Sequence, residues 1–108
     1  MPDVIKYVHP LEQPTLTADF QDVLPAADST LNNIGSGSTV TIVDSSGTDA
    51  DAKLFSKTRT SKTLLVTLKN LVDGEEYTIT FLGQGTTSTL RFVKTYLILV
   101  RTSLVGEF

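Results

Sequence analysis

One hundred and eight residues, 40% of them hydrophobic and 19% charged, suffice for a single core and exclude both a second domain and wholesale disorder. A formal net charge of −3 argues against a phosphate-binding surface, and the absence of Cys excludes a disulfide framework, a thiolate zinc site and a thiol nucleophile. Seventeen Thr residues, β-branched and stiff at χ1, tilt the remaining choice towards an all-β fold.

Residues 1–14 read as an N-terminal arm. Pro2, Pro10 and Pro14 each remove a backbone donor and break the segment into pieces too short for an inner strand. Val4 to Val8 leaves room for one short edge strand. Ile5, Tyr7, Val8 and Leu11 are the anchors that such an arm offers to a neighbouring subunit. The opening Met1-Pro2-Asp3-Val4-Ile5-Lys6 lacks the basic-then-apolar layout of a signal peptide, and the chain is expected to be complete as given. No apolar run reaches the roughly 18 residues that a membrane span needs.

From Thr15 the period is two. Leu16, Ala18 and Phe20 alternate with Thr15, Thr17 and Asp19, the pattern of a half-buried strand. A bend at Phe20–Pro25 opens a polar stretch to Ser38, in which residues 19–34 leave room for one helical turn. Thr39 to Asp44 is the next strand, with Val40 and Ile42 on one face. Ser45 to Asp51 is a turn-rich acidic loop, and Ala52 to Thr58 a strand around Leu54. Leu64, Val66 and Leu68 alternate with Leu65, Thr67 and Lys69; Tyr77, Ile79 and Phe81 alternate with Thr78, Thr80 and Leu82. Leu90, Phe92, Tyr96, Ile98 and Val100 share one face of a long last strand that Lys94 interrupts. Short strands at regular spacing, separated by Gly, Asn, Asp and Ser, predict a β-sandwich over residues 15–102, followed by a tail at 103–108.

The most specific local signal is Leu71-Val72-Asp73-Gly74-Glu75-Glu76-Tyr77. It resembles the tyrosine corner of immunoglobulin-like and fibronectin type III sandwiches, in which the ring joins the core and the hydroxyl bonds back to upstream backbone. The resemblance implies an immunoglobulin-like or fibronectin type III-like antiparallel β-sandwich.

A wider resemblance runs from about Thr17 to Thr102. The succession Asp19-Phe20-Gln21-Asp22-Val23-Leu24-Pro25-Ala26-Ala27-Asp28-Ser29-Thr30-Leu31 is followed by Ser38-Thr39-Val40-Thr41-Ile42, then by Gly74-Glu75-Glu76-Tyr77-Thr78-Ile79-Thr80-Phe81. Thr86-Thr87-Ser88 and Thr95-Tyr96-Leu97-Ile98-Leu99-Val100 complete the order. In order and spacing these blocks resemble small immunoglobulin-like structural proteins of tailed bacteriophages. The Trp frequent in the opening block is absent, with Phe20 in its neighbourhood, and Leu90-Arg91 stands where a glycine-arginine turn is usual. The resemblance implies a virion component of head, neck or tail, assembled in the host cytoplasm. Its expected partners are other virion proteins, in multiple copies.

Reactive chemistry finds little footing. His9 is the only His, and beside Pro10 in a terminal arm it is a poor candidate for a triad base, which must be held against a nucleophile and oriented by a third group. The loop Asp44-Ser45-Ser46-Gly47-Thr48-Asp49-Ala50-Asp51 offers hard oxygens of the kind Ca²⁺ takes. Gly47, however, stands at the fourth position, and no bidentate Glu closes the loop. The favoured reading is a solvated turn whose Asp and Ser side chains bond local backbone, with a cation site as the alternative. Lys53, Lys57, Arg59 and Lys62 cluster around a hairpin, as on a strand edge kept charged against stray pairing. No cofactor, metal or small-molecule substrate is expected, and no enzymatic activity.

The apolar excess lies elsewhere. Leu97 and Leu99 point opposite to Tyr96, Ile98 and Val100, so both faces of the last strand are apolar, and Leu104, Val105 and Phe108 extend that character. Either another layer of the domain covers this strand or its outer face meets a partner. A virion structural protein is the first expectation. A binding module of a bacterial surface or secreted protein is the alternative.

Overall fold

The computed structural model describes residues 4–102. It contains seven strands: β1 (Val4–Val8), β2 (Thr15–Asp19), β3 (Thr39–Val43), β4 (Leu54–Thr60), β5 (Thr63–Leu68), β6 (Glu76–Gln84) and β7 (Arg91–Val100). They form a four-stranded sheet in the order β1-β7-β6-β3 and a three-stranded sheet in the order β2-β5-β4. Among the described residues the only helical element is one 3-10 turn at Asp51–Lys53, and none is long and apolar enough to cross a membrane.

Each strand buries the face that its alternation singles out. Leu16 and Ala18, Val40 and Ile42, Leu64, Val66 and Leu68, Tyr77, Ile79 and Phe81, and Tyr96, Ile98 and Val100 are all buried in one core between the sheets. The interior is therefore the period-two set of both layers, as an all-β sandwich requires. Phe81 and Tyr96 meet edge to face with ring centroids 5.1 Å apart. The Tyr96 hydroxyl donates across the core to the Thr17 carbonyl, tying β7 of one sheet to β2 of the other.

The topology is immunoglobulin-like with one departure. β3, β6 and β7 share a sheet, and β2, β5 and β4 share the other, as in that fold. β1, however, joins the β7 side, and it runs parallel to β7 with Val4 opposite Tyr96 and Val8 opposite Val100. The sheet is thus mixed where a wholly antiparallel sandwich was expected. The boundary shifts as well: the sandwich begins at Val4, because β1 is the edge strand that its five-residue length permitted, and the expected arm shrinks accordingly. Val8 is 4% exposed and belongs to the core, which removes it from the candidate anchors. Lys6 lies on the inward side of β1, in register with buried Ile98, and inward charge of this kind discourages edge-to-edge pairing.

The corner predicted at Leu71–Tyr77 takes shape around a buried ring: Tyr77 is the second residue of β6, and Leu71 is buried in the same core. Burial pushes the phenol pKa above its usual value. Gly74 takes φ +85° at the corner, where its N–H donates to Val100 O at 2.9 Å. That left-handed backbone is open to Gly at no steric cost.

The nineteen-residue connection between β2 and β3 (residues 20–38) is irregular but tied down. Phe20, Asp28, Leu31 and Ser38 within it are buried. Where a helical turn was expected, the chain makes an isolated hydrogen-bonded turn, Leu24 N–H to Phe20 O at 3.0 Å, and no helix. Asp28 is the main tie: its carboxylate accepts the Thr87 and Ser88 amides, each at 2.8 Å, and the Ser88 hydroxyl at 2.5 Å. The connection between β6 and β7 is thereby stapled to the one between β2 and β3. The Ser88 side-chain bond is the largest cause holding the Asp28 carboxyl below the ordinary Asp range, with the Ser88 and Thr87 amides adding to it. A depressed folded-state pKa means stability that is present above the unfolded value near 3.8 and lost as pH falls through the folded one. Asp28→Asn is therefore expected to flatten the acid limb of a stability-against-pH curve below about pH 4. An unchanged acid limb would show that Asp28 plays no part in it.

Candidate interaction face

Strand register decides which side chains stand together on the outside of the four-stranded sheet. Opposed residues share a face, and successive residues alternate. Ile5 is opposite Leu97, and Leu97 is opposite Thr78; Tyr7 is opposite Leu99, and Leu99 is opposite Glu76. Of the residues expected to meet a partner, Ile5, Tyr7, Leu97 and Leu99 thus form one apolar corner on the outer face of β1 and β7. Ile5 and Tyr7 are 56% and 63% exposed, while Leu97 and Leu99 are half-buried beneath them. Within the described chain no further layer covers this strand.

The same face continues towards β3. Val93 is opposite Leu82, and Leu82 is opposite Thr39; Thr95 is opposite Thr80, and Thr80 is opposite Thr41. Val93, 54% exposed, lies on this side, although the alternation of Leu97 and Leu99 had not been carried back to it. That two-residue period is the signal that identifies it. One end of the face holds Glu76, paired with Arg101 at 3.4 Å, and the other end holds Arg91.

The remaining expected anchors lie apart. Leu11 is 87% exposed in the turn after β1, outside the register that forms the corner. Leu104, Val105 and Phe108 lie outside the described residues. Leu90, expected to share the inward face, is exposed just ahead of β7, while Phe92 packs half-buried against the core. Lys94 sits on the inward side at the open end of the sandwich, opposite Phe81. Its ammonium lies 5.7 Å from the centroid of the buried Phe20 ring and 3.3 Å from Asp22. A long side chain that caps the core in this way keeps its charge at the surface while covering apolar atoms.

The groups with chemical potential are spent on local structure. His9 Nδ1 accepts the Leu11 amide at 3.0 Å, and the His9 amide donates to Glu12 Oε1 at 2.7 Å. In the acidic loop Asp44 Oδ1 accepts the Ser46 and Thr48 amides at 2.9 and 3.0 Å, and Asp49 Oδ1 accepts the Asp51 amide at 3.0 Å. The Ser45 hydroxyl donates to Glu75. These bonds match the solvated-turn reading, and among the described residues no His, Asp or Glu cluster is arranged to hold a metal ion. Lys57 and Arg59 lie on β4, an edge strand with a bulge between Leu54 and Ser56, and Arg59 donates twice to Asn33 Oδ1. Charge and a bulge on an exposed edge both oppose stray pairing. A shallow open groove lined by Asp19, Gln21, Asp22 and Lys94 holds an ion pair and an Asx turn.

Fold and face together define the class: an immunoglobulin-like β-sandwich with an apolar corner on one outer sheet face. Compared with protein-family models, curated proteins and solved structures, the chain matches none.

Proposed function

We propose that the protein is a non-enzymatic structural protein of a tailed-phage virion, a capsid-associated, neck or tail component assembling through protein–protein contacts. The observation that carries the assembly reading is the corner of Ile5, Tyr7, Leu97 and Leu99, brought onto one outer face by the parallel pairing of β1 with β7. Apolar side chains gathered on a sheet face, rather than scattered singly, mark a contact surface. The phage assignment rests on the order of sequence blocks. Asp28 in one of those blocks is joined to Thr87 and Ser88 in another by the carboxylate staple.

The test is the composition of particles made by the phage or prophage genes surrounding this one. Mass spectrometry of purified particles is expected to find the chain as a stoichiometric component. Particles complete without it would overturn the virion reading. An Ile5→Lys variant, exposed enough to leave the fold intact, is expected to drop out of the particles while its circular dichroism stays that of the parent.

A further inference from the structure

Taking the outer face as a protein-contact surface, as above, we propose that its partner is a second copy of this chain. The two copies pack face to face about a two-fold axis lying along the Thr41–Thr80–Thr95 row. That row crosses three adjacent strands at the middle of the face. Small side chains there let two sheets approach to the roughly 10 Å at which sheets stack.

The pattern on either side of the row is self-complementary. One step towards one end of β7 lies Val93, and one step towards the other lies Leu97. A two-fold axis across the strands reverses their direction in the partner, so Val93 of each copy stacks on Leu97 of the other. Two steps out, Arg91 on β7 stands at one end and Glu76 on the neighbouring β6 at the other. The same rotation brings Arg91 of each copy beside Glu76 of its mate, offset by one strand spacing of about 4.8 Å, which an Arg side chain spans. An isologous contact needs such a palindrome: each patch must fit its own rotated image. Like charges oppose one another nowhere along β6 and β7 in this register. On β7 itself Arg91 stacks its apolar stem on Leu99 of the mate, while Ile5 and Tyr7, beside Leu97 and Leu99, fall beyond the mate's described β1. The Glu76–Arg101 pair is partly exposed, so sharing Glu76 with a second Arg sacrifices little.

Sedimentation of the full chain up to near-millimolar concentration tests this. The parent is expected to be a dimer. Val93→Asp and Leu97→Lys, both outside the core, are expected to be monomers with parental circular dichroism. Arg91→Glu is expected to weaken the dimer about tenfold, as for an interfacial charge pair reversed to repulsion, and Glu76→Arg in the same chain is expected to restore it. A monomeric parent, a dimer that survives both Val93→Asp and Leu97→Lys, or a double charge variant no tighter than Arg91→Glu would each overturn the proposal. The virion reading is judged separately by particle composition: a monomeric parent found in particles places an unlike protein on this face.

Discussion

Tyr77→Ala is expected to remove about 3–5 kcal/mol of stability, a large part of the 5–15 kcal/mol that a domain of this size holds. Tyr77 is 1% exposed and is the largest of the fully buried side chains. It packs at the start of β6, where the corner turns from β5 into the centre of the four-stranded sheet. Truncation leaves a cavity in a core that strands on both sides prevent from closing. Tyr77→Phe separates the two roles of the side chain. It keeps the ring and removes only the hydroxyl, for an expected cost of about 1 kcal/mol. Urea unfolding followed by fluorescence measures both. Equal losses for the two variants would mean that the hydroxyl, and not the ring, holds the corner; no loss for Tyr77→Phe would mean that the hydroxyl contributes nothing.

Gly85→Ala is expected to be the second most damaging change, by about 2–3 kcal/mol, as for overpacking in a site that cannot relax. The added Cβ would stand 2.2 Å from Asp28 Oδ2 and 2.5 Å from its Cγ. Asp28 cannot retreat without releasing the Thr87 and Ser88 amides and the Ser88 hydroxyl. Gly85 itself bridges to Leu31, so backbone movement there disturbs a second buried group. The absent side chain is thus a condition for the staple. Gly35→Ala is the control: a Cβ there meets nothing within 4 Å, and its effect is confined to backbone strain at φ +93°. Thermal unfolding is expected to place Gly85→Ala well below Gly35→Ala. The reverse order would show that the staple yields easily.

The inward residues of β2, β3, β5 and β6, and of the second half of β7, were legible because alternation of apolar and hydroxyl-bearing residues is a local property of a strand. The tyrosine corner was legible for a similar reason, since all its parts lie within Leu71–Tyr77. The apolar outer side of β7 was legible at Leu97 and Leu99 by the same period. In each case the physical cause acts between residues a few positions apart.

What the sequence determined by itself is therefore the class of fold, its interior and the presence of an apolar surplus at its last strand. The tertiary structure alone decided where that surplus goes. Parallel pairing sets Ile5 and Tyr7 beside Leu97 and Leu99, although more than ninety positions separate Ile5 from Leu97 along the chain. It also buried Val8, which a two-residue period in an isolated segment could not assign to a core rather than an interface. Asp28 and Ser88 are joined by hydrogen bonds across sixty positions, and nothing in either segment's own composition specifies the other. Period sets which side of a strand is apolar. Only the pairing of distant strands sets which apolar sides meet one another and which are left facing outward.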